Sequence, residues 1–66
     1  MDWKEKTIIS SDGKYQGTAT GHTERCRLEG CRGERVRVEW KDGTITKPCS
    51  LGLYFVMENV FKIYHV

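Results

Sequence analysis

The sequence lacks the features that mark membrane proteins, exported proteins and phosphate-binding enzymes. Its longest apolar stretch, residues 51–56, contains a glycine and is far shorter than the roughly 20 residues of a membrane-spanning helix. Residues 1–6 carry no apolar signal-peptide core, so we expect a cytoplasmic protein, with a mature secreted fragment as the alternative. No glycine-rich phosphate loop opens a helix, and no internal repeat or low-complexity tract is present.

The chain is also short. Its 66 residues suffice for one domain, and its 38% hydrophobic and 30% charged residues are typical of a soluble globular protein. A chain of this size buries only about 60% of its surface on folding, so a metal ion, a disulfide or a partner would stabilise a thin core. We predict a single non-enzymatic domain over residues 1–66 that acts on no small-molecule substrate, because pockets for such substrates usually enclose roughly 300–1,000 Å³.

The first third of the sequence predicts a β-hairpin. A β-branched run precedes Asp12-Gly13, a dipeptide that favours tight turns because glycine tolerates a positive φ. We predict its strands over residues 5–10 and 14–20. Residues 21–33 contain three glycines and two cysteines without apolar periodicity, which predicts a loop. A loop this long in a small domain is usually functional or locally stapled.

A second hairpin follows. Residues 34–40 form the clearest predicted strand, because apolar and charged side chains alternate with a period of two. Asp42-Gly43 supplies a tight turn to a partner strand at residues 44–47. Pro48 lacks a backbone donor and is expected to end that strand.

The remaining residues are ambiguous. Residues 49–53 are expected to bend, and we favour a short helical turn near residues 57–59 followed by a strand over residues 60–65. The alternative is a short helix with one side formed by Phe55, Val56, Asn59, Val60 and Ile63.

Residues 36–43 (VRVEWKDG) resemble a strand and turn of SH3-like small β-barrels of the KOW, Tudor and Mind-bomb types. The preceding residues 17–21 (GTATG) are similar to the glycine-bounded strand that often comes before it. The resemblance implies an all-β fold, a five-stranded antiparallel barrel whose loops at one edge bind RNA, DNA, ribosomal components or peptides. Residues 21–33, with their two cysteines, are not part of that pattern, and one fold serves many functions.

Three cysteines and a histidine are the candidate metal ligands. His22, Cys26 and Cys31 are spaced H-x3-C-x4-C, and Cys49 follows after seventeen residues. Three thiolates and one imidazole match structural zinc, although zinc knuckles usually have the tighter C-x2-C spacing. We favour ordinary buried thiols, with zinc as the first alternative and a disulfide as the second. His65 is a second candidate for the imidazole ligand. Catalysis by a thiol is not favoured, because His22 is the only nearby base.

The arginines form the candidate nucleic-acid site. All five lie in one segment, although the net charge is only +2. Arg35 and Arg37 are expected to face solvent if the alternating apolar residues face the core. A row of guanidinium groups suits phosphates. The simpler interpretation is a solvated face of ion pairs with interleaved glutamates. The arginines are Arg25, Arg27, Arg32, Arg35 and Arg37, and the glutamates are Glu24, Glu29, Glu34 and Glu39.

We predict a binding module that contacts RNA or single strands through this arginine-rich edge. Exposed tyrosines would stack on bases, with Trp40 in the core and Trp3 exposed near the terminus. The alternatives are a protein-binding adaptor that uses the long loop, Trp3 and Tyr54, and a domain stabilised by zinc. No membrane partner is expected, and nothing in the sequence sets an oligomeric state.

Overall fold

The structure, a computed structural model, describes residues 2–64 and is built from β-strands. The predicted all-β class is confirmed. A 3-10 turn at Ser50–Gly52 is the only helical element among the described residues. The strands are β1 (Thr7–Ile9), β2 (Gln16–Arg25), β3 (Glu34–Trp40), β4 (Ile45–Thr46), β5 (Leu53–Met57) and β6 (Val60–Ile63).

The strands form one open sheet in the order β4-β3-β2-β1-β6-β5. All neighbouring pairs are antiparallel except β1 and β6, which are parallel. The predicted five-stranded antiparallel barrel is therefore wrong: the sheet has six strands, and β4 and β5 lie at its opposite ends. The strand pattern in the sequence predicts which residues are extended, but the pairing of β1 with β6 joins segments from the two ends of the chain.

The first predicted hairpin is present, with its second strand longer than expected. β1 pairs with β2 from Thr7↔Thr18 to Ile9↔Gln16. The prediction that residues 21–33 form a loop is wrong for its first part, because β2 continues to Arg25. Gly21 adopts φ 92°, and the register with β3 shifts between Ala19 and Thr23, so the glycine accompanies an irregularity in β2 without ending it.

The core consists of a few side chains on one face of the sheet. Trp3 is 5% exposed, which overturns the expectation of an exposed indole near the terminus. Its ring packs edge-on against Phe61 with centroids 4.8 Å apart, and its Nε1 donates a hydrogen bond to Glu34 Oε1 at 3.0 Å. A buried tryptophan needs such a partner for its N–H. Trp40 packs at the margin of this cluster. The buried members are Trp3, Ile8, Ala19, Val36, Val38 and Phe61.

The C-terminal part is a third hairpin. β5 pairs antiparallel with β6 around a non-helical turn at residues 58–59, so a turn is present where one was predicted. The predicted last strand is present over Val60–Ile63, and the alternative helix is wrong. Asn59 has φ 63°, a conformation that asparagine tolerates, and its carbonyl accepts a hydrogen bond from Thr7 N at 2.8 Å. The expected helical turn lies earlier, at Ser50–Gly52. No helix within residues 2–64 has the length and hydropathy to cross a membrane.

Candidate metal centre

Three cysteines from two separate parts of the chain meet beside the first residues of β3. Cys26 directly follows β2, and Cys31 lies in the loop that joins β2 to β3. Cys49 follows β4 and forms an isolated bridge with Arg35 in β3. The backbone N–H of Cys26 donates to the carbonyl of Gly33 at 3.2 Å, which closes the loop over residues 26–33. The loop between β2 and β3 and the return of the chain after β4 therefore bring the thiols together.

The sulfur atoms have the spacing of metal ligands. The three Sγ atoms lie within 4.8 Å of one another, and those of Cys31 and Cys49 are 3.6 Å apart. Tetrahedral zinc with bonds of about 2.3 Å holds its sulfurs about 3.8 Å apart. Cys26 is buried, the other two are half-buried, and none is in a disulfide. This cluster, called the thiol cluster below, is within about 1 Å of the geometry of a three-thiolate site.

Gly33 allows the segment that carries Cys49 to approach the loop closely. A Cβ at Gly33 would lie 2.8 Å from Cys49 Sγ, 2.9 Å from Leu51 Cγ and 3.1 Å from Ser50 Oγ. Ser50 Oγ also accepts a hydrogen bond from Glu34 N at 3.0 Å, which holds the segment in place. Only a residue without a side chain leaves room for Cys49 Sγ at this distance.

Hydrogen bonding gives the thiols unequal acidity. A backbone hydrogen bond with Leu28 lowers the pKa of Cys26, and hydrogen bonds with the neighbouring thiols and the charge of Arg35 act in the same direction. A backbone hydrogen bond with Gly33 also favours the thiolate of Cys31, but hydrogen bonds with the other thiols and burial together raise the pKa of Cys31. Cys26 therefore loses its proton before Cys31, and a bound cation would displace the protons that remain.

The structure brings together three of the four predicted ligands. His22 lies in β2, is exposed, and is not part of the thiol cluster; its backbone N–H donates to Thr20 Oγ1 at 3.2 Å. His65, the other histidine considered as a ligand, lies outside the described residues. The described residues thus supply three soft sulfur ligands, which suit zinc among the common metals.

The five arginines predicted to bind nucleic acid lie in or near the loop between β2 and β3. Two of them are paired across the strands with glutamates. Arg25 is paired in register with Glu34, and Glu24 with Arg35, across β2 and β3. Glu24 also forms an ion pair with Lys47 at 3.2 Å. Such opposite-charge neighbours match the interpretation as a solvated face. Arg25, Arg27 and Arg32 are exposed, and Arg35 and Arg37 are half-buried.

Two of these arginines have local environments that sequence reasoning missed. Arg35 donates to the carbonyl oxygen of Lys47 at 3.1 Å, which ties β3 to the end of the β4 segment. The Nε atom of Arg37 is buried and has no hydrogen-bond partner among the described residues. Neither feature is specific to nucleic acid, so binding of RNA or single strands stays a prediction.

No protein family, curated protein or solved structure matches this chain. The resemblance to SH3-like barrels is therefore unsupported beyond the all-β class. The geometry of the thiol cluster carries the functional assignment.

Proposed function

We propose that the protein is a small non-enzymatic β-sheet domain that binds zinc through Cys26, Cys31 and Cys49 and uses the ion to hold its fold. The supporting observation is the convergence of the Sγ atoms of all three cysteines of the chain within 4.8 Å. Once the thiols are zinc ligands, none remains as a free nucleophile.

The position of the thiol cluster explains what the ion contributes. Cys26 and Cys31 belong to the loop after β2, whereas Cys49 belongs to the segment after β4. An ion bound to all three therefore joins the loop between β2 and β3 to the segment after β4. Ordinary buried thiols would not require three cysteines and Gly33 to converge at one point.

Binding of zinc to the folded state alone adds about 4 kcal/mol to the free energy of unfolding when free zinc is 1,000 times its dissociation constant. We expect protein purified under reducing conditions to contain close to one zinc per chain and to melt at a lower temperature after treatment with a strong chelator. Titration with cobalt(II) should produce a thiolate-to-metal charge-transfer band.

The variant that tests the assignment is Cys31→Ser, because Cys31 is only half-buried and serine leaves the loop little altered. We expect it to lose the bound zinc and the effect of the chelator on melting. His22→Ala is the matched control, since His22 is exposed and outside the thiol cluster. An unchanged melting temperature of the wild type on chelation, with no zinc bound, would contradict the proposal.

A further inference from the structure

The strand β5 is an edge of the sheet with unusually little protection. It is hydrogen-bonded to β6 on one side, and no strand within residues 2–64 lies on its other side. Residues 51–57 contain neither a charged residue nor a proline. The apolar side chains exposed in or beside β5 are Leu51 (71%), Tyr54 (44%), Phe55 (66%), Val56 (40%), Met57 (59%) and Tyr64 (62%). We call this set the β5 strip.

The β5 strip continues the core of the domain. Phe55 is paired with Phe61 across the hairpin, and their rings meet edge-on with centroids 5.9 Å apart. Phe61 is buried against Trp3, whereas Phe55 is mostly exposed because no further strand covers it. Tyr54 packs against Tyr64 with centroids 6.5 Å apart. Apolar surface is therefore ordered and in place for another strand.

The opposite edge of the sheet is protected in the way proteins usually protect edges. β4 has only two residues, and it is flanked by Lys41 and Asp42 on one side and by Lys47 and Pro48 on the other. Short strands, charges and proline all discourage pairing with another chain. β5 has a register shift at Val56, which is one form of edge protection, but it is not short and carries neither charge nor proline.

We propose that β5 pairs antiparallel with β5 of a second copy of this chain, so that one sheet runs through both copies. Two copies related by a two-fold axis place the same strand side by side in antiparallel orientation. Each strand then pairs the outward backbone N–H and C=O groups of the other. The strand carries no charge that would repel its copy.

The size of the surface favours a second copy. With aromatic side chains of 150–250 Å², the β5 strip exposes on the order of 600 Å² per chain. Two copies would then bury at most about 1,200 Å², the lower bound for specific interfaces.

Sedimentation or light-scattering mass measured on the zinc-replete full chain tests the pairing. We expect the mass to rise with concentration from 7.7 kDa to twice that value. The double variant Phe55→Lys, Val56→Lys should remain at the monomer mass. Ile45→Lys places one such lysine on an exposed residue of the other edge strand and should dimerise as the wild type does.

A wild type that stays monomeric at high micromolar concentration overturns the proposal, and so does a folded double variant that still dimerises. If the double variant does not fold, amide hydrogen exchange of the wild type decides. The amides of β5 that point away from β6 should be protected at concentrations where the dimer forms and exposed below them. Equal protection at both concentrations also overturns the proposal. The pairing does not depend on the zinc site.

Discussion

The substitution Gly33→Ala should weaken metal binding although it leaves every ligand in place. The added Cβ would stand 2.8 Å from Cys49 Sγ and 2.9 Å from Leu51 Cγ. Favourable contacts between heavy atoms lie near 3.5–4.0 Å, so the side chains of residues 49–51, or the segment that carries them, must move by about 0.5–1 Å. Because Cys49 is one of the three ligands, a displacement of its Sγ away from the other two sulfurs weakens their hold on the ion.

The segment has little freedom to make this movement. Val36 N donates to the carbonyl of Pro48 at 2.9 Å, and Glu34 N donates to Ser50 Oγ at 3.0 Å. Overpacking of this kind costs roughly 1–3 kcal/mol. If the strain falls on the metal-bound state, zinc affinity drops by about 5- to 150-fold, since about 1.4 kcal/mol is tenfold.

The assay is competition for zinc with a chromophoric chelator, together with thermal melts in the presence and absence of the metal. Gly52→Ala is the matched control, because a Cβ there meets no atom within 4 Å and the residue lies in the same segment of the chain. We expect Gly52→Ala to bind zinc as the wild type does. Equal zinc affinity for Gly33→Ala and Gly52→Ala would refute the reasoning.

Two further predictions concern the arginine-rich edge and the turn after β3. If RNA or single strands bind through this edge, Arg35→Glu combined with Arg37→Glu should abolish a salt-sensitive fluorescence anisotropy signal at low ionic strength. Asp42 has a pKa below the ordinary 3.8, because the Thr44 hydroxyl and backbone N–H donate to its carboxylate, so its stabilising effect is present above pH 4 and is lost as the pH falls through the lowered pKa. Thr44→Val should move the pKa of Asp42 towards 3.8 in an NMR titration.

Matched controls separate the roles of the arginines and of Thr44 from general effects of charge and of substitution. Lys14→Glu combined with Lys41→Glu makes the same charge change away from the arginines, and an equal loss of RNA binding would argue against a site on that edge. Asp12, whose pKa is lowered mainly by the Ser10 hydroxyl, serves as the reference carboxylate. An unchanged pKa of Asp42 in Thr44→Val would contradict the role of the hydroxyl.

Local patterns allowed part of this fold to be predicted from the sequence. The alternation in β3 and the Asp42-Gly43 turn were recognisable because each depends on neighbouring residues. The parallel pairing of β1 with β6 was not, because it depends on contacts between residues about fifty positions apart. Trp3 was misplaced for the same reason, since its burial is set by Phe61. A residue's distance from the chain terminus says little about its burial.

The candidate site was predictable in its composition and less so in its geometry. The three cysteines stand out as residue types, but their convergence needs the return of the chain after β4. His22 was included because a loop was expected at residues 21–33, and the continuation of β2 places it in a strand. The exposed edge at β5 was missed, although the absence of charge over residues 51–57 was the signal.

The central position of β1 has a consequence for how the chain reaches its final state. This three-residue strand is synthesised before the other five, yet it lies between β2 and β6, and β6 is the last of the six strands to be synthesised. The sheet is therefore completed only when the final hairpin reaches β1, and such pairing between distant segments slows folding. Removing β1 would not trim an edge but would divide the sheet into a β2–β4 unit and an isolated β5–β6 hairpin, which is marginally stable by itself.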